Sequence, residues 1–261
     1  MTAADYPYFD AGPLALAHRG GSTYAPNRGI ENTLTAFRNA VDLGYRYLET
    51  DVHATADGRL IAFHDDRLER VTDSRGLIAD LPWSAVAAAR INGVEPIPEL
   101  AELFGSFPDT RINIDIKAVG AVAPLWRTIK EHQAQDRVCV GSFSERRLSA
   151  FRRLAGPRVA TAAGRLGTAA LRFAPGWVST LCHSPAQVLQ IPTTHPVRGR
   201  TVQLVTPHLL ETAHRLGKQV HVWTIDDPAE MARLLDLGVD GIVSDRIDTL
   251  KEVLTARGQW R

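Results

Sequence analysis

The chain has 261 residues, 44% hydrophobic and 23% charged, a globular composition long enough for one large domain or two small ones. The formal net charge is +1 and no long basic run occurs, which argues against nucleic acid as a partner. No apolar run nears the roughly 20 residues of a membrane span, and the N-terminus lacks a signal peptide's basic start and apolar core, so a cytoplasmic protein without membrane insertion is expected. Along the chain, an apolar strand at 13–17 leads to a helix over 31–44, where Leu34, Phe37 and Val41 recur at helical spacing and Gly44 is a stop signal. A strand at 45–54 follows. Residues 55–105 are more than one strand-to-helix crossover needs and read as an inserted small subdomain, opening with a short strand at 59–63. Then come a strand at 110–117 with a helix over about 121–133, a strand at 137–143 with a helix at 144–156, and a strand at 158–163 with a weak helix near 167–173. A strand at 186–192 precedes a helix over 206–217, capped by Thr206 with Pro207 in its first turn. Strands at 219–225 and 240–245 lead to helices at 227–238 and 246–257.

Eight strands, each followed by a helix, predict an α/β fold: a TIM (β/α)8 barrel with a small insertion after the second strand. We expect one domain over 1–261, with the inserted subdomain at about 55–105. Cys139 and Cys182 are isolated and offer no disulfide framework.

In such a barrel, outward side chains pack on the helices, and catalytic groups sit at the C-terminal strand ends. In the stretch "NIDIK", Ile112, Ile114 and Ile116 share one face, while Asn113, Asp115 and Lys117 share the other and point to the barrel axis. Glu49, Asp51 and His53 do the same in the second strand. The first strand ends in His18 and Arg19, and the insertion's strand leads into His64 and Asp65. Converging carboxylates repel and resist ionisation. Glu49, Asp51 and Asp115 therefore invite a divalent cation, and oxygen-only donors suit Mg²⁺ or Ca²⁺ better than zinc. The plainer alternative is a buried ion-pair network with Lys117, Arg19 and Arg46 as counter-charges. Two polar strands beside two strand-end histidines favour phosphoryl chemistry. Arg19 can grip phosphate with its fork and Lys117 can add a point charge. One histidine can serve as base and the other as acid. The lone His132, His183, His195, His208 and His214 read as structural.

The motifs "AHRGG" (17–21), "IENT" (30–33), "ETDVHATADG" (49–58), "FHDD" (63–66), "NIDIK" (113–117), "VWTID" (222–226) and "GVDGIVSD" (238–245) resemble, in order, those of the glycerophosphodiester phosphodiesterase family. The resemblance spans nearly the whole chain. It implies a TIM barrel and metal-dependent cleavage of glycerophosphodiesters, a small-molecule substrate, to sn-glycerol 3-phosphate and an alcohol. It also implies that His18 and His64 are the acid/base pair, Arg19 holds phosphate, and Glu31 holds the glycerol or the metal shell. Glu49 and Asp51 are then metal ligands, Lys117 neutralises phosphate, and Trp223 lines the pocket. The chain departs from the family at two places. The third metal ligand, commonly glutamate, is Asp115, one methylene shorter, so the metal sits closer to this strand or binds it through water. The segment before "ENT", where the family usually carries a proline, reads "YAPNRGI" here, with Ile30 directly before Glu31.

Two alternatives stand beside this reading. One is phospholipase D-like activity on lysophospholipids or sphingomyelin, which needs an apolar groove; "LRFAPGWVSTL" (171–181) is the candidate for membrane contact. The other is a catalytically silent barrel that binds phosphate esters.

Overall fold

A computed structural model describes residues 1–10, 12–173, 184–197 and 199–260. Among these residues, eight parallel strands form a nearly closed barrel. They are β1 (Leu14–His18), β2 (Tyr47–Ala54), β3 (Arg111–Ile116), β4 (Val138–Gly141), β5 (Ala160–Thr161), β6 (Val188–Ile191), β7 (Gln219–Val222) and β8 (Gly241–Ser244). Neighbours in sequence are neighbours in space, and β8 returns to β1 in parallel register, Leu14 beside Gly241. The seam between β5 and β6 is the weakest, a single parallel bridge from Ala162 to Val188.

Four of the helices that follow the strands begin at a side-chain cap, from Thr33, Ser144, Thr206 and Asp227. Thr33 Oγ1 accepts from the Ala36 amide ahead of α1 (Leu34–Asp42), at 3.1 Å. Asp227 does the same at the start of Pro228–Leu237, 2.8 Å from the Glu230 amide. Thr206 caps Pro207–Arg215, with proline in the first turn as the sequence predicts. Ile112, Ile114 and Ile116 are fully buried in the main apolar cluster between barrel and helices.

The stretch 55–105 departs from the simple repeat. Its short strand Leu60–Ala62 pairs antiparallel with the end of β2. Ile61, Phe63, Leu68, Ile78, Val86 and Ile91 form a separate apolar cluster. Two antiparallel segments, Thr194–Val197 and Arg200–Gln203, were not foreseen; they form a hairpin after β6. Most of "LRFAPGWVSTL" lies outside the described residues, as do His183 and Cys182, while Cys139 is buried in β4.

The barrel interior changes character along its axis. At the N-terminal strand ends, Leu14, Leu16, Tyr47, Cys139, Ala160 and Val188 pack with Tyr6 and Tyr8 of the N-terminal segment. At the C-terminal ends, β1, β2 and β3 carry His18, Glu49, Asp51 and Asp115 instead.

Candidate active site

Strand register assembles the site. His18 lies beside Glu49, Glu49 beside Asn113, and Asp51 beside Asp115. Because β2 and β3 run in parallel without offset, their inward residues stack in the same layers. Asn113 Oδ1 accepts from Gln190 Nε2 across the barrel at 2.7 Å. After β1 the chain turns sharply: Arg19, Gly20 and Gly21 all have positive φ, at 50°, 86° and 90°. A Cβ on Gly20 would come within 2.9 Å of the Ala36 backbone, and one on Gly21 within 2.7 Å of Ile247. Only glycine fits there, and the tight turn aims Arg19 back over the strand ends.

A cavity of about 570 Å³ opens at this end, and His18, Arg19, Glu49, Asp51, His64, Asp115, Lys117 and Trp223 all line it. Of the residues singled out from sequence, Glu31 stands one layer back, 3.2 Å from Arg19 Nη1 through Oε1. His53 turns away from the cavity, toward the His64 carbonyl at 3.1 Å. Arg46 is no counter-charge for these carboxylates. It precedes β2, at the other end of the barrel, and pairs with Asp10 at 3.0 Å. His195 does reach the cavity wall, carried by the unforeseen hairpin.

The carboxylates are only partly neutralised. Lys117 Nζ lies 2.9 Å from Asp51 Oδ1 and 2.7 Å from Asp115 Oδ2. Arg19 Nε lies 3.2 Å from Asp51 Oδ2 but is not aligned for a hydrogen bond, so that oxygen and Asp115 Oδ1 are buried without one. Burial and the nearby Asp51 charge push the Glu49 carboxyl up to about 7. Burial also raises Asp115, outweighing Lys117. Asp51 shows the reverse balance: burial opposes its charge, but Lys117 and Arg19 hold its carboxyl below the usual range. Lys117 is itself raised, because Asp51 and Asp115 more than offset its burial.

Buried oxygens without partners and a carboxyl driven toward neutrality are what a cation would relieve. The all-oxygen donor set of Glu49, Asp51 and Asp115 fits Mg²⁺ or Ca²⁺ in chemistry. In arrangement, among the described residues, no three histidine, cysteine or carboxylate groups converge closely enough to hold a metal ion. The Lys117 ammonium bridges Asp51 and Asp115 instead.

His18 and His64 each have a carboxylate behind them. His18 Nδ1 lies 2.9 Å from Asp245 Oδ1, which also accepts from Ser22 Oγ at 2.6 Å. Burial disfavours the His18 imidazolium, but Glu49 and Asp245 outweigh it and raise the pKa. His64 Nδ1 lies 2.6 Å from Asp65 Oδ1. Such pairs fix ring orientation and tautomer and leave Nε2 for chemistry. Sequence reasoning gave Asp245 and Asp65 no role, although both sit in stretches it had marked, at a strand end and beside His64. Trp223 meets Phe143 edge to face, with ring centroids 5.5 Å apart, and Lys117 lies over the same Phe143 ring.

A TIM barrel whose upper interior gathers two carboxylate-backed histidines, an arginine, a lysine and three carboxylates is built to act on a phosphate ester. The model of the glycerophosphoryl diester phosphodiesterase family matches residues 18–249, and the chain belongs to that family. It is 40% identical over 250 residues to the "Probable glycerophosphodiester phosphodiesterase 2" of Mycobacterium tuberculosis, covering 95% of this chain and 93% of the relative. It is 30% identical over 260 residues to the glycerophosphodiester phosphodiesterase of Caldanaerobacter subterraneus, covering 94% and 99%. A solved phosphodiesterase of Oleispira antarctica, in complex with the product sn-glycerol-3-phosphate, superposes with a TM-score of 0.79 at 25% identity, covering 98% of this chain and all of that one.

Proposed function

We propose that this protein hydrolyses glycerophosphodiesters to sn-glycerol 3-phosphate and an alcohol, with His18 and His64 as the acid/base pair. The observation that carries this reading is the pair of histidines, each held at Nδ1 by a carboxylate, on one cavity with Arg19 and Lys117. Arg19 and Lys117 bind the phosphate oxygens and spread the charge that builds on them. His18 Nε2 takes the proton of the attacking hydroxyl, from water or from the glycerol itself, as its oxygen bonds to phosphorus. The phosphorus bond to the alcohol oxygen breaks, and His64 gives that oxygen a proton. Attack by water yields sn-glycerol 3-phosphate at once; attack by the glycerol hydroxyl yields a cyclic glycerol phosphate, which a water opens, giving its proton to the now neutral His64 while His18 returns its proton to the released glycerol oxygen. Trp223 forms the wall beside the glycerol or the alcohol. Lys117 bridges Asp51 and Asp115 as they stand; once its ammonium turns to phosphate, Glu49, Asp51 and Asp115 would hold a divalent cation in its place. Such an ion supplies positive charge to the phosphate oxygens and orients the nucleophile. The test is release of sn-glycerol 3-phosphate from choline, ethanolamine, glycerol and inositol diesters, by the protein and by its His18→Ala and His64→Ala variants. Turnover undiminished in both variants would defeat the assignment.

One observation favours a second substrate class for the same chemistry. Phe143, Leu166 and Phe173 line the cavity yet stay 46%, 73% and 57% exposed, giving it an apolar mouth. A single acyl chain would cover them, as in a lysophospholipid. Including lysophosphatidylcholine in the same panel separates the two: a kcat/KM above that for glycerophosphocholine favours the acylated substrate.

A further inference from the structure

Among the arginines of the insertion, none of which the chemistry above uses, Arg70 reaches the edge of the site. Arg70 lies on the loop after the strand Leu60–Ala62, and its guanidinium joins two carboxylates. Nη2 and Nη1 grip Glu31 Oε1 and Oε2 at 2.6 and 3.1 Å, a two-pronged contact. Nε donates to Asp65 Oδ2. The second oxygen of Asp65 holds His64, and Glu31 Oε1 also accepts from Arg19. One guanidinium therefore stands behind both a histidine of the insertion and the arginine of the β1 turn.

We propose that Arg70 is a positioning residue that sets His64, through Asp65, and Arg19, through Glu31, in mutual register. The inference rests on the acid/base and phosphate roles proposed above. An exposed ion pair contributes little in general, but a forked contact within a network is the exception. Arg70 is about half exposed, while the carboxylates it holds are mostly buried. Asp65, 5 positions away, is held within the insertion, whereas Glu31, 39 positions away, is reached only when the insertion is docked on the barrel. Arg70 thus ties a site made of two chain segments together at the point where they meet. Lysine would keep the charge but not the fork, and cannot hold both carboxylates in this geometry.

A merely structural arginine and a positioning one differ in what they couple to. The experiment measures kcat and KM for glycerophosphocholine, with thermal melting of every variant, for Arg70→Ala and Arg70→Lys alone and combined with Asp65→Ala or Glu31→Gln. Removing an outer partner of a functional group typically lowers function by about 10–100-fold. Arg70→Ala should lower kcat by a factor in that range, and Arg70→Lys should not restore it. The kcat loss should shrink to about threefold or less in the Asp65→Ala background, and the KM rise should likewise shrink in the Glu31→Gln background. If Arg70→Ala does not fold, Arg70→Lys carries both comparisons. Additive losses in both backgrounds, or full activity restored by lysine, would overturn the inference while leaving the acid/base reading intact. Full turnover in His64→Ala would instead sink that reading, and the KM comparison with Glu31 would still judge the Arg19 arm.

Discussion

The lower and upper halves of the barrel interior are built on the same strands with the same alternation, yet they treat charge in opposite ways. On β2 the inward residues pass from Tyr47 to Glu49 and Asp51. In the lower half, His221 is fully buried beside Gly241, and burial pushes its pKa down to about 3, so it stays neutral. In the upper half, Asp51 and Lys117 are buried nearly as well but keep their charges by pairing. Packing alone asks for the lower pattern. Buried charge is expensive to hold and adds little stability even when paired. Its concentration at one end of the barrel marks where the molecule trades stability for chemistry.

The largest expected effects separate the histidines by their leaving groups. His64→Ala should reduce cleavage of glycerophosphocholine by about 10²–10⁴-fold, and that of a nitrophenyl diester far less, because a nitrophenolate needs no proton. His18→Ala should damage both similarly. If neither variant depends on the leaving group, the division into acid and base is wrong. Next, Asp51→Asn should lower turnover by about 100-fold or more, above the range for outer partners. Asp115→Asn should lose less if this shorter ligand binds through water; equal or reversed losses count against that geometry.

Changes in the lower half should leave catalysis alone. Leu14→Ala should cost about 2–5 kcal/mol of stability by opening a cavity, with kcat per folded molecule unchanged. A comparable loss of kcat would mean that the two halves are not separable.

The smallest effect is a pH dependence of stability in metal-stripped protein. The Glu49 carboxyl sits near 7 when folded, against an ordinary value of 4.5. Its contribution is present below about 4.5 and is lost as pH rises through 7. Glu49→Gln should therefore melt several degrees above wild type at pH 8 and level with it at pH 4, given about 2–4 °C per kcal/mol for a chain of this size. Equal melting temperatures at both pH values would show that the Glu49 charge is already balanced without metal.

Much of this contrast was legible in the sequence, because period-two alternation says which side chains face inward. Asn113, Asp115 and Lys117 opposite three isoleucines could be assigned to the interior without coordinates. Alternation does not give height along the barrel, so Arg46 looked like a partner for carboxylates that lie further up β2, while its side chain pairs with Asp10 below. Nor does it give contacts between distant segments. Arg70 and Glu31 meet only through docking of the insertion. His195 reaches the cavity on a hairpin whose segments, "THPV" and "RTVQ", lack the apolar alternation that marks a strand. Asp245 ended a recognised strand, but its pairing with His18 depends on β8 closing against β1.

The account's central claim is that the charged upper interior is a cation-dependent diesterase site. The most direct test is release of sn-glycerol 3-phosphate from glycerophosphocholine by thoroughly chelated protein, before and after Mg²⁺ or Ca²⁺ is added back. The account predicts loss of turnover on chelation and recovery with one of the two cations, with no recovery in Asp51→Asn. Undiminished turnover in metal-stripped protein would contradict it, and would leave Lys117 and Arg19 as the permanent partners of those carboxylates.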